Sequence, residues 1–195
     1  MIYLIRHGQT NWNYLKKIQG QSDISLNETG KNEAYERGQQ LCSYPIDKII
    51  SSDLSRAKET AEIINGFLNL PIRFDSRLRE VNYGDLQGVF NKDISKQTWE
   101  IFNNEPHKLN AESFEDVYLR VKSFFNEIDM SKNTLLVTHG GFIRMALYFA
   151  ENQDVFQKDV YEKTYQFLEI RNTDILDKNL TDKFKHAFLN CKGAQ

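Results

Sequence analysis

Cysteine, proline and net charge are all scarce in this sequence. Only two cysteines occur, Cys42 and Cys191. They form no CxxC pair and no metal-ligand cluster, and they read as ordinary free thiols of a reducing compartment. No stretch approaches the ~20 apolar residues that a membrane span needs. The net charge is only −2, and lysines are mixed with acids along the chain. That argues against a nucleic-acid surface and against a polybasic membrane anchor. Any anion site must therefore be local and built from a few arginines. The N-terminus runs straight into an apolar segment, without the basic and apolar regions of a signal peptide, so a cytoplasmic location is expected. There is no internal repeat and no low-complexity tract.

What is present suits one domain over residues 1–195. Hydrophobic residues make up 40% of the chain and aromatics 12%, enough for a sizeable core. Met1–Ile5 reads as a buried strand. A helix follows, begun by Asn27 or Thr29, with Ala34, Gly38, Leu41 and Cys42 as its stripe; Pro45 ends the segment. Ile46–Ile50 reads as the second strand. The next helix takes Ser52 or Asp53 as its N-cap and sets Leu54, Ala57, Ala61 and Ile64 on one face. A short extended piece opens at Pro71. Residues 88–111 hold aromatics without clean periodicity and read as a partly helical excursion. Phe114, Val117, Val121, Phe124, Phe125 and Ile128 share one face of a further helix. Thr134–Val137 is another buried strand, and "FIRMALYFA" an apolar helix. "YQFLEIR" reads as a late edge strand. The polar tail from about residue 172 has a possible amphipathic helix through Leu180, Phe184 and Phe188, and its role is not assigned.

Alternating strands and helices predict a three-layer α/β/α sandwich with a mainly parallel central sheet. Ligands in such folds bind outside the carboxyl ends of the strands. Three strands here end in residues that carry chemistry. One runs into Arg6-His7-Gly8, one into Ser51 and Ser52 with Arg56 beyond, and one into His139-Gly140-Gly141.

The segments "LIRHGQT", "SSDLSRAKETA", "LREVNYGDLQG" and "LVTHGG" occur in that order. Together they resemble the histidine phosphatase superfamily, the cofactor-dependent phosphoglycerate mutases and related phosphatases. The resemblance runs from Met1 to about Tyr148, with a weaker match through "YQFLEI". It implies that residues 88–111 form a helical lid. It also implies that His7 is a nucleophile, transiently phosphorylated, with Gly8 accepting the proton of its other ring nitrogen. A neutral imidazole suits attack on phosphorus near neutral pH. By the same resemblance Arg6 and Arg56 clamp the phosphate, for which paired guanidinium donors are well shaped. His139 donates to the phosphoryl group, Asn13 contacts it, and the Gly8 amide is a further donor. Glu80 is the acid that protonates the leaving oxygen and then the base for water.

This scheme calls for no metal and no cofactor beyond the phosphohistidine itself, and no acidic cluster of the magnesium-holding type is evident. The expected partner is a small phosphorylated metabolite. Nothing assigns an oligomeric state. Gln19, Asn82 and Tyr83 lie near motif residues and are candidate substrate contacts. Trp99, Phe102 and Phe90 either line the pocket or pack the core. His107 and His186 lie outside every motif and read as surface residues.

Glu80 is followed by Val81 and Asn82, and the lid carries Lys92, Lys96 and Lys108 with no arginine before Arg120. This departs from the mutase pattern and weakens pairing to a substrate carboxylate. Hydrolysis of phosphomonoesters is therefore expected ahead of phosphoglycerate mutase-type transfer, and ahead of a non-catalytic phosphate-binding module.

Overall fold

A computed structural model describes residues 1–152, 156–164 and 175–176. Four strands run parallel: β1 (Ile2–Arg6), β2 (Lys48–Ser51), β3 (Ile72–Phe74) and β4 (Thr134–Thr138). The sheet order is β3-β2-β4-β1, and a short β5 (Ile175–Leu176) pairs antiparallel outside β1. The strand expected over "YQFLEIR", the amphipathic helix of the tail, His186 and Cys191 lie outside the described residues.

Alternation along the strands feeds two cores. Ile2, Leu4, Ile50 and Leu136 point to one face, where α5 (Phe114–Glu127) and α6 (Gly140–Glu151) cover them. Tyr3, Ile5, Ile49, Leu135 and Val137 point to the other, under α2 (Glu28–Leu41) and α3 (Ser55–Leu68). The result is the expected three-layer sandwich. Each fully buried Leu, Ile or Phe in these cores contributes about 1.5–3 kcal/mol.

The helices start and stop largely for local reasons. Asn27, not Thr29, caps α2, accepting from the Gly30 amide at 2.9 Å. Cys42 follows the last turn of α2 and is exposed, so it falls outside the apolar stripe. Ser113 and Asp116 form a reciprocal capping box on α5. The predicted α5 stripe, Phe114 through Ile128, is buried throughout.

For α3 the expected caps are not used. Leu54 is the N-cap residue and offers no side-chain bond. Asp23 supplies the cap from a distant loop, accepting from the Ser55 amide at 2.7 Å and the Ser55 hydroxyl at 2.9 Å.

Residues 88–111 hold α4 (Lys96–Asn104) between short 3-10 turns at Asn91–Asp93 and Pro106–Leu109. The segment is stitched to the loop after α1 (Asn11–Tyr14) by Ile18 N–H to Val89 O (2.9 Å) and Asn91 N–H to Lys16 O (2.9 Å). A helix not anticipated, α7 (Lys158–Thr164), packs nearby, with the Lys158 ammonium on the Asn103 carbonyl. Among the described residues no helix is long and apolar enough to cross a membrane.

Candidate active site

Register brings the strand ends together. Arg6 is paired with Thr138 across β1 and β4, and Ser51 with Val137 across β2 and β4. His7 and Ser52 each extend the ladder by one bond, to Thr138 O and Val137 O, both at 2.9 Å. His7, Ser52 and His139 therefore leave the sheet side by side, and all three are buried.

The His7 ring is held by its own neighbour. Nδ1 donates to the Gly8 carbonyl at 2.6 Å, which leaves Nε2 without a proton. Nε2 accepts from Arg56 Nε at 3.3 Å. Arg56 is itself fixed, because its two terminal nitrogens donate to Ser22 O (2.8 Å) and Gly20 O (2.6 Å). A Cβ on Gly8 would collide with the Gly30 carbonyl, so only glycine fits this turn.

Burial sets the electrostatics. It holds His7 well below the ordinary imidazole range, and the cations of Arg56 and Arg6 push the same way. His139 is lowered for the same reasons, burial first and Arg56 next. Arg56 comes down to about 10, again chiefly by burial, yet remains a cation at neutral pH. Two neutral imidazoles thus sit beside two guanidiniums, that of the fully buried Arg56 and that of the half-buried Arg6.

His139 is the N-cap residue of α6. Its Nε2 lies 2.8 Å from Ser52 Oγ. Its Nδ1 is buried and has no hydrogen-bond partner among the described residues. Glu80 reaches the same corner from the loop after β3. Its Oε1 accepts from the Gly141 amide (2.8 Å) and the Val81 amide (2.9 Å). A Cβ on Gly141 would collide with this carboxylate. Glu80 is close enough to raise the pKa of both Arg6 and Arg56, against the burial that lowers them.

The structure thus gathers Arg6, His7, Arg56, Glu80 and His139 at one end of the sheet. Other expectations change. The Gly8 amide does not face the site: it donates to Thr60 Oγ1 at 3.0 Å, and Thr60 donates to the Arg56 carbonyl at 2.7 Å. Gly8 therefore serves through its carbonyl, not as a phosphate donor. Asn13 spends its Oδ1 on Thr10, accepting from the amide at 3.1 Å, which leaves Nδ2 as its one donor group for a ligand. Gln19 is buried and accepts from the Thr10 hydroxyl at 2.8 Å. Asn82 is occupied by its own loop, with Oδ1 on the Gly84 amide (2.9 Å) and its backbone paired with Glu112. That rules it out as a substrate contact through Oδ1.

Tyr83 does face open space. It lines a cavity of about 790 Å³ together with Trp99, Phe102, Phe114, Tyr161 and Arg144. Val81 and Gly141, whose amides hold Glu80, also line it, so the cavity adjoins the carboxylate. Tyr83 stacks on Phe102 with ring centroids 5.0 Å apart, and burial raises its phenol pKa. Phe90 lies outside this wall. Its ring is partly exposed, with the ammonium groups of Lys17 and Lys92 over it at 4.7 and 5.8 Å. His107 is exposed, as expected.

Sequence reasoning missed Ser52 as a histidine partner, Thr60, and Arg144. Arg144 stands one helical turn after Gly140, so an i, i+4 reading of α6 would have placed it over the same strand end. The lid has no arginine, as read from the sequence, but α6 places Arg144 on the cavity wall. Among the described residues no three His, Cys, Asp or Glu side chains group as a metal site. What the corner can hold is a tetrahedral oxyanion between guanidiniums, with an unprotonated ring nitrogen beside it.

The chain is similar to known proteins. PhoE of Bacillus subtilis (strain 168), described as an uncharacterized phosphatase, is 37% identical over 146 residues, 75% of each chain. A probable phosphoglycerate mutase GpmB of Salmonella paratyphi A is 38% identical over 148 residues, 71% of this chain and 69% of that one. The solved structure of a mycobacterial glucosyl-3-phosphoglycerate phosphatase, complexed with VO3, is similar with a TM-score of 0.77 at 28% identity, covering 89% of this chain and 88% of that one. The match to the histidine phosphatase superfamily (branch 1) spans residues 2–162, both strand-end histidines and Glu80 included, and the chain belongs to that family.

Proposed function

We propose that the protein hydrolyses small phosphorylated metabolites in the cytoplasm, through a phosphohistidine on His7 and without a metal ion. The observation that carries this is the 2.6 Å bond from His7 Nδ1 to the Gly8 carbonyl. It keeps the proton off Nε2, and burial keeps the ring neutral. Nε2 attacks phosphorus as the ester P–O bond breaks, and Glu80 gives its proton to the departing oxygen. The ionised Glu80 then takes a proton from water. That water attacks the phosphohistidine, releasing inorganic phosphate and restoring His7. Arg6, Arg56 and His139 carry the charge on the transferring oxygens, the task a metal would otherwise perform.

The aromatic wall of Tyr83, Trp99 and Phe102 favours an ester with a ring or apolar body. A relative described as a probable phosphoglycerate mutase and a structural neighbour described as a glucosyl-3-phosphoglycerate phosphatase support a phosphorylated metabolite as substrate. Arg144 on the cavity wall is the one observation that favours a mutase instead, since it offers a cation to a substrate carboxylate. A cavity of about 790 Å³ fits a body larger than a three-carbon acid, which weighs toward hydrolysis.

The test is hydrolysis of p-nitrophenyl phosphate in excess chelator, wild type against His7→Ala. Turnover by the wild type alone supports the reading. Turnover that disappears in chelator and returns with magnesium removes its metal-free part. No turnover by either protein, with mutase activity on phosphoglycerate, shifts the assignment to transfer.

A further inference from the structure

Residues 79–83, which carry Glu80, belong to no helix or strand. A group that hands over a proton in a transition state must be held to within about 0.5 Å of its working position. Loop backbone does not provide that by itself. The two amides on Glu80 Oε1 fix the carboxylate relative to Val81 and Gly141, but something must fix the loop.

We infer that Glu112, just before the N-cap of α5, and Arg120, midway along that helix, form a clamp that positions Glu80 for proton transfer; this rests on the phosphatase reading above. Arg120 spends its fork on three carbonyls of the Glu80 segment. Nη1 donates to Arg77 O and Arg79 O, each at 2.8 Å, and Nη2 to Glu80 O at 3.1 Å. The same guanidinium binds Glu112 through two further bonds, Nε to Oε1 at 2.7 Å and Nη2 to Oε2 at 3.1 Å. Glu112 then closes the ring from the other side. Its Oε2 accepts from the Asn82 amide at 3.1 Å, and its own amide donates to Asn82 O at 2.8 Å. The backbone is thus tied on both sides of Glu80 to one charge-assisted pair.

The pair is mostly shielded from water, with side-chain exposures of 16% and 15%, so its bonds are screened less than those of a surface ion pair. Gln21 adds a further anchor, donating from Nε2 to Glu80 O at 3.0 Å. The geometry needs a planar fork with five donors. A lysine offers one point charge and cannot reach three carbonyls and a carboxylate together. Neither Arg120 nor Glu112 is among the residues that line the cavity, so each acts through Glu80.

The test compares wild type, Arg120→Lys, Glu80→Gln and the double variant on esters of falling leaving-group acidity, from p-nitrophenyl to alkyl phosphates. A good leaving group departs without a proton; an alkoxide does not. Arg120→Lys is expected to leave kcat/KM for p-nitrophenyl phosphate, which reports phosphoryl transfer to His7 and not the later attack of water, little changed, and to lower kcat/KM on alkyl esters by about 10²-fold, the usual weight of a general acid. Added to Glu80→Gln, it should cost nothing further on the alkyl series. Glu112→Gln, which keeps the shape of the pair and removes its charge, should show the same pattern more weakly and serves if Arg120→Lys fails to fold. An equal loss of kcat/KM on every ester, or full additivity with Glu80→Gln, overturns the inference. If the wild type hydrolyses no ester, the phosphatase reading fails on its own. Amide exchange then decides the clamp: faster exchange at Val81 and Asn82 in Arg120→Lys sustains it, and unchanged exchange overturns it.

Discussion

The imidazoles of His7 and His139 face each other with ring centroids 5.1 Å apart and 56° between their planes. The pairing of Arg6 with Thr138 makes this unavoidable, because the residues that follow must emerge together. Both rings are kept neutral by burial and by the same arginines. They differ in where the proton sits. The Gly8 carbonyl holds it on Nδ1 of His7, so that ring offers a lone pair. His139 turns Nε2 to Ser52 and leaves Nδ1 to the interior of the site.

Ser52 is expected to set the His139 tautomer. Its Oγ accepts the Leu54 amide at 3.3 Å and lies 2.8 Å from His139 Nε2, to which it is expected to donate its own proton. The ring proton then lies on Nδ1, as a donor for a phosphoryl oxygen. Ser52→Ala should lower kcat roughly 10-fold with little change in KM, less than the 10²–10³-fold typical of losing an oxyanion donor outright. The ¹⁵N shifts of His139 should report protonated Nδ1 in the wild type and a changed tautomer balance in the variant.

Acid should destabilise the fold through these two histidines. Both have folded pKa values below the ordinary 6.5. Between the folded and unfolded values the unfolded chain binds more protons, so stability is complete above about pH 6.5 and falls as pH drops below it. Each histidine adds at most about 1.4 kcal/mol per pH unit. Asp53, held low by its hydrogen bonds with Arg79, contributes only in a more acidic range. Urea melts from about pH 7.5 to 5 should therefore be steeper for wild type than for His139→Asn. Parallel curves would assign the acid sensitivity to other groups.

Trp99 should discriminate among substrates. It lies edge-on to Phe102 at 5.7 Å and to Tyr83 at 6.4 Å, on the cavity wall and partly exposed. Trp99→Ala removes a broad apolar contact worth about 1.4 kcal/mol, so KM for ring-bearing esters should rise about tenfold. Turnover of methyl phosphate should hardly change. A uniform rise in KM across both esters would mean that the cavity does not receive the ester's body.

The sheet and the side chains that gather at its strand ends were legible because both follow short-range rules. Short apolar runs mark β1 and β4, and His7 and His139 are the first residues after those strands. The apolar stripe of α5 shows its 3.6 period from Phe114 to Ile128. What could not be read depends on three-dimensional pairing. Ser52 looks like a helix cap until His139 is placed across the sheet. Arg120 looks like a surface residue of α5 until the Glu80 loop folds against it. The Gly8 amide looks available until Thr60 arrives from α3.

The cap of α3 gives the last prediction, and it links stability to the placement of Arg56. Asp23 binds Ser55 from 32 residues away, and the residue after Ser55 is Arg56. The neighbouring Ser22 carbonyl holds Arg56 Nη1. Asp23→Ala should therefore cost about 1 kcal/mol of stability, as lost N-caps do. It should also raise KM, because α3 loses the contact that fixes its first turn and the guanidinium. Asp23→Asn retains an acceptor for the Ser55 amide and should recover most of both effects. If the melting temperature falls in Asp23→Ala while KM stays constant, the carbonyls of Gly20 and Ser22 hold Arg56 without help from the cap.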